Sequence, residues 1–100
     1  MSGIASVYDR SSEEETASGE QLREESLTAA HRTLPLGTIV EVTNSQNGRK
    51  AVVRINDRGP FARGRIIDLT PAGARVLGFS GITNVSLAII GAKNERLDLC

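Results

Sequence analysis

A β-barrel of short strands is the fold this sequence predicts, and three observations predict it. Runs rich in Val, Ile and Thr recur along the chain, each closed by Gly, Asn or Pro turn chemistry. One stretch alone carries both a helix cap and a helix stop. Aromatic residues are confined to Tyr8, Phe61 and Phe79 while 39% of the chain is apolar, so the core is built from Val, Ile, Leu and Ala. Many short strands with one or two short helices close best on themselves.

The elements follow in order. Residues 4–8 read as a first strand, and Ser11 to Glu25 as a polar, acidic, mobile loop. Leu27 to His31 reads as extended. Leu34-Pro35-Leu36-Gly37 is a turn, and Thr38 to Thr43 a strand. Asn44 to Gly48 supplies hairpin chemistry, with Asn47-Gly48 suited to positive φ, and residues 50–56 form its partner. Residues 65–69 make another strand. Thr70 caps a helix over 71–77, Pro71 opens it and Gly78 stops it. Residues 85–90 form the last strand. The 100 residues make one domain, with a core over about 3–91 and a tail over 92–100.

Composition excludes several function classes. Formal charge is zero, with 12 basic and 12 acidic residues. The acids cluster between Asp9 and Glu25, and the bases between Arg32 and Arg75. That basic half lacks the aromatic platform of a nucleic-acid binder, so it reads as a solvated face. Cys100 is the lone cysteine, which rules out an internal disulfide, and no Cys/His cluster has metal-site spacing. No metal or organic cofactor is indicated. No run reaches the length of a membrane span, and no signal peptide is visible.

The chemistry concentrates in Ile55-Asn56-Asp57-Arg58-Gly59-Pro60. An apolar strand runs there into a turn that Gly59 and Pro60 enforce. Alternation puts Val53, Ile55 and Asp57 on one side, with Asp57 at the rim of the core and partly desolvated. A carboxyl there can hold a proton near neutral pH, as a general acid must. The competing reading is an Asp that only satisfies turn amides.

Thr16-Ala17-Ser18-Gly19-Glu20, Leu27-Thr28-Ala29-Ala30-His31 and Leu34-Pro35-Leu36-Gly37-Thr38 form an ordered series. Val42-Thr43-Asn44, Asn47-Gly48, Asn56-Asp57-Arg58-Gly59-Pro60 and Arg65-Ile66-Ile67-Asp68-Leu69 continue it. Together these blocks closely resemble the double-psi β-barrel domain of the rare lipoprotein A family over residues 3–91. The region from Gly59 to Thr70 is more distantly similar to the first domain of expansins. The resemblance implies a six-stranded double-psi barrel with a shallow groove and a bacterial envelope location. It also implies, in some members, lytic transglycosylase activity on peptidoglycan. Fold likeness does not establish activity, so the site must carry the argument.

A lytic transglycosylase cleaves between N-acetylmuramic acid and N-acetylglucosamine, and the sugar's own 6-hydroxyl closes a 1,6-anhydro ring. One carboxyl can serve as acid and then as base, unlike the usual pair in glycoside hydrolysis. Asp57 is the first candidate. Glu20 matches the glutamate that closes the family's Thr-Ala-x-Gly-Glu block; it is an alternative acid, a stabiliser of positive charge at the anomeric carbon, or a solvent-facing loop residue. His31 matches the family's histidine; it either tunes proton transfer or is satisfied by backbone. Thr16, Asn56 and Arg58 are candidate substrate binders, Arg58 alternatively pairing with Asp68. Asp68, Gly59 and Pro60 read as structural.

Departures from the family fall in the groove-covering loop. Val7 stands where an aromatic is common, residues 11–15 replace a Gly-containing loop, and Arg23 replaces an acid. The family's C-terminal glycan-binding domain has no counterpart in these residues. The expected function is a monomeric endolytic transglycosylase acting on peptidoglycan glycan strands, in the periplasm or as an outer-membrane lipoprotein if an export signal has been removed. The alternative is a non-catalytic, expansin-like module that binds glycan or loosens the wall. A scaffold for secretion or assembly partners is the third class.

Overall fold

The computed structural model describes residues 1–8 and 15–92. Six strands and one helix follow in order: β1 (Ser2–Val7), β2 (Thr28–Ala30), β3 (Thr38–Asn44), β4 (Lys50–Asp57), β5 (Arg65–Leu69), α1 (Pro71–Leu77) and β6 (Ile82–Ala92). The strands close into a barrel in the order β1-β5-β2-β4-β3-β6. Two pairs, β1/β5 and β2/β4, are parallel. The remaining four are antiparallel. This is the double-psi barrel, and its closure leaves no strand edge unpaired.

The core lies inside the barrel, with Val40, Val42, Val53, Ile55, Ile67 and Leu69 among its fully buried members. β3 alternates buried and half-buried residues along its whole length, as a strand with one face on a core should. Thr70 caps α1 by accepting from the Gly73 N–H at 3.1 Å, while its own hydroxyl donates to the Ser26 carbonyl at 2.6 Å. Gly78 ends the helix at φ 77, in the left-handed region that glycine favours. A Cβ there would also sit 2.8 Å from the Arg49 guanidinium.

Three expectations need correction. β6 begins at Ile82 and ends at Ala92, longer than residues 85–90, because β1 pairs with its first half and β3 with its second. In the hairpin turn only Gly48 takes positive φ, at 79; Asn47 does not. The segment read as a mobile acidic loop is anchored over its described part. Leu22 is buried, Glu15 bridges Gln21, and the Ala72 N–H donates to the Glu24 carbonyl at 3.0 Å. Residues 11–14 of that segment and the expected tail over 93–100 lie outside the described residues.

Candidate active site

β4 carries the site at its C-terminal end. Its pairing with β2 slips by one residue: Ala29 faces Ile55 but Ala30 faces Asp57. The extra residue ends the strand's alternation, so Ile55, Asn56 and Asp57 are all buried. Asp57 is therefore 4% exposed, deeper than a rim position. A bulge of this kind leaves no mark in a two-residue hydrophobic pattern.

Two backbone N–H groups hold the Asp57 carboxyl at Oδ1, those of Ala17 and Arg58, each at 2.8 Å. The Tyr8 hydroxyl lies 3.4 Å from Oδ2. The Ala17 contact draws the segment from Thr16 to Glu20 across the barrel end, helped by the Ser18 N–H donating to the Asn56 carbonyl at 3.1 Å. That segment is a tight turn. The Thr16 N–H and hydroxyl both donate to the Glu20 carbonyl, at 2.7 and 3.0 Å.

The turn delivers Glu20 to the β4 face opposite the core. Arg54 grips its carboxylate with two parallel N–H···O bonds of 2.9 Å each, and Asn56 Nδ2 donates a third at 2.9 Å. Charge-assisted bidentate pairs of this type are strong and directional. The Arg54 hydrogen bonds, then that from Asn56, lower the Glu20 pKa from 4.5 to about 2. Glu20 is an anion at neutral pH, with no proton to give. This geometry favours the charge-stabilising alternative over the acid one.

A cavity of ≈ 210 Å³ lies over this pair, lined by Glu20, Arg23, Ser26, Thr28, Arg54 and Asn56, with Gln21. Asn56 Oδ1 and Thr28 Oγ1 are buried without a hydrogen-bond partner among the described residues. Unpaired buried oxygens are costly. A ligand that brings donors into this cavity relieves that cost.

His31 is placed elsewhere. Its Nδ1 accepts from the Thr33 and Leu34 N–H groups, both at 3.2 Å, and its Nε2 lies 3.2 Å from Met1 Sδ. Accepting at Nδ1 puts the ring proton on Nε2. Burial first, then Arg32 and Arg58, lowers its pKa, so the imidazole is neutral at pH 7. Its side chain makes no hydrogen bond to a carboxyl among the described residues. What links it to the site is its backbone N–H, which donates to the Asp57 carbonyl at 3.1 Å.

Arg58 does not pair with Asp68. Its Nη1 donates to the His31 and Leu34 carbonyls at 3.1 and 2.7 Å, clamping the turn after β2. Asp68 accepts instead from the Ser6 hydroxyl, across the β1/β5 pair. Gly59 stands at φ 122 and precedes a cis peptide to Pro60. Sequence reasoning missed Arg54 and Tyr8, which contact Glu20 and Asp57. Arg54 was within reach, because alternation along β4 puts it on the Asn56 side.

The barrel, and a buried carboxyl beside an ion-paired one at its open end, define a double-psi β-barrel protein with a polar site. Residues 1–88 match a family model described as "Lytic transglycolase". The chain is 55% identical over 94 residues to "Probable endolytic peptidoglycan transglycosylase RlpA" of Nostoc sp. strain PCC 7120, covering 89% of this chain and 25% of that one. It is 53% identical over 91 residues to "Endolytic peptidoglycan transglycosylase RlpA" of Pasteurella multocida, covering 88% and 31%. The chain belongs to this family, the RlpA-type lytic transglycolases. It spans about a quarter to a third of the length of these relatives. An expansin of Clavibacter michiganensis shares the fold, with a TM-score of 0.68 at 20% identity over 89% of this chain and 49% of that one.

Proposed function

We propose that this domain is a lytic transglycosylase that cleaves peptidoglycan glycan strands between N-acetylmuramic acid and N-acetylglucosamine, with Asp57 as its acid and base. The seating of the Asp57 carboxyl carries the reading. Two N–H bonds to Oδ1 fix the plane of the group, and we assign the transferred proton to Oδ2, the oxygen that faces the Tyr8 hydroxyl at 3.4 Å. Oδ2 protonates the glycosidic oxygen as the bond to the anomeric carbon breaks. The carboxylate then takes the proton of the 6-hydroxyl as that oxygen closes the 1,6-anhydro ring. One carboxyl thus serves both steps, and no water enters.

Glu20 supplies negative charge as positive charge develops on the sugar ring, an electrostatic role that needs an anion fixed in advance. Arg54 and Asn56 fix it. Asn56 and Thr28 offer acceptors to substrate hydroxyl or amide groups, and Thr16 shapes the turn that presents Glu20. His31 and Arg58 act through the backbone around Asp57, as positioning residues. A monomer suffices, because all these groups come from one chain. The substrate places the domain in the bacterial envelope.

Purified peptidoglycan incubated with the domain, then examined by mass spectrometry, tests this. Products ending in 1,6-anhydro-N-acetylmuramic acid are expected from the parent and not from Asp57→Asn. Intact glycan from both proteins, with the domain co-sedimenting on the polymer, would instead support the non-catalytic, expansin-like module.

A further inference from the structure

We infer that the cavity beside the loop after β4 is a subsite for one pyranose ring, with Phe61 as its stacking platform. The cavity measures ≈ 270 Å³ and is walled by Tyr8, Arg58, Pro60, Phe61 and Asp68. That is just below the range of drug-sized ligand pockets, about 300 Å³ upward, and suits a single ring. Only the assignment of this sugar to the strand that Asp57 cleaves rests on the transglycosylase reading.

Phe61 is 76% exposed, the most exposed large apolar side chain among the described residues. Exposure alone means little, since single apolar residues on a surface are ordinary. Its setting is what counts. Gly59 and Pro60 are buried, so the aromatic ring stands on a fixed base. A Cβ added at Gly59 would lie 3.5 Å from Phe61 Cε2, which places the ring edge against the bare face of that glycine. The cavity therefore has an aromatic side chain in its wall that contributes nothing to the core.

Its other walls are polar. Asp68 is held from behind by the Ser6 hydroxyl, and Arg58 by two backbone carbonyls. A pyranose has this same division, with C–H groups on its ring faces and hydroxyls around its rim. The C–H face packs on the electron-rich face of Phe61, while the hydroxyls meet Asp68 and the Tyr8 phenol. Tyr8 also reaches Asp57 Oδ2, at 3.4 Å. The cavity thus adjoins the proposed proton donor on the side of Tyr8 and shares no lining residue with the Glu20 cavity.

Retention on insoluble peptidoglycan and steady-state cleavage, measured for the parent, Phe61→Ala and Phe61→Trp, test the inference. Phe61→Ala should weaken retention and raise KM about tenfold with kcat nearly unchanged. Its melting temperature should match the parent's, and Phe61→Trp should restore binding. Unchanged retention and KM in Phe61→Ala would overturn the subsite, as would equal losses in the Ala and Trp variants. If Asp57→Asn still releases anhydro products while Phe61→Ala binds weakly, the acid assignment fails and the subsite stands. A parent that neither binds nor cleaves glycan overturns both.

Discussion

At the scale of single residues, Glu20 shows how partners decide a role that residue type leaves open. A glutamate in an acidic segment is ordinarily a solvated charge, and its side chain is still 42% exposed here. Two Arg54 bonds and one from Asn56 make it a held anion. Because its pKa falls on folding, it stabilises the fold above the ordinary 4.5, and that contribution disappears as pH drops through about 2. Discounted for solvent screening at this exposure, the effect is about 1 kcal/mol. Glu20→Gln should therefore lower stability by about that much at pH 7 in urea melts, with the gap closing near pH 2. A gap that does not vary with pH would contradict the ion-pair account. His31 makes the opposite point. Its residue type suggests proton transfer, but its ring nitrogen is spent on two backbone N–H groups.

Among elements, α1 is short and depends on its cap. Thr70 is fully buried, accepts from the first turn of the helix and donates back to Ser26, tying the helix start to the segment before β2. Thr70→Ala removes both bonds and leaves the buried Gly73 N–H and the part-buried Ser26 carbonyl without that partner. The expected loss is about 1–2 kcal/mol, read as a lower urea midpoint with an unchanged m-value. A loss near zero would mean that water replaces the hydroxyl. The strand β4 depends on its bulge in the same way. The slip opposite Ala30 buries two successive polar residues at the strand end, and that places Asn56 toward Glu20 and Asp57 toward Ala17.

For the molecule as a whole, the segment from Thr16 to Glu20 is part of the barrel. Its amides bond to Glu20 O, Asp57 Oδ1 and Asn56 O, two of these groups belonging to β4. Native-state hydrogen exchange should show the Thr16 and Ala17 amides at least about tenfold slower than in an unstructured chain, opening together with the end of β4. Exchange at the unstructured rate would make the segment a loose flap and would weaken the case for a preformed Glu20 site.

Much of this architecture was legible in the residues. Val-, Ile- and Thr-rich runs with period two, bounded by Gly48 and by the Thr70-Pro71 start, locate five of the six strands and the helix, and the extended reading of Leu27 to His31 locates the sixth, β2, because burial period and turn chemistry are local properties. Asp57 was legible for the same reason, standing where an apolar strand meets Gly59 and Pro60. The rest depended on contacts far apart in the chain. The Glu20–Arg54 pair spans 34 residues and the Ala17–Asp57 bond spans 40. The bulge exists only in the pairing of β4 with β2. Local sequence sets which residues are buried and where the chain turns. Closure of the barrel decides which charges meet, since a carboxylate's role follows from the donors that folding brings within reach.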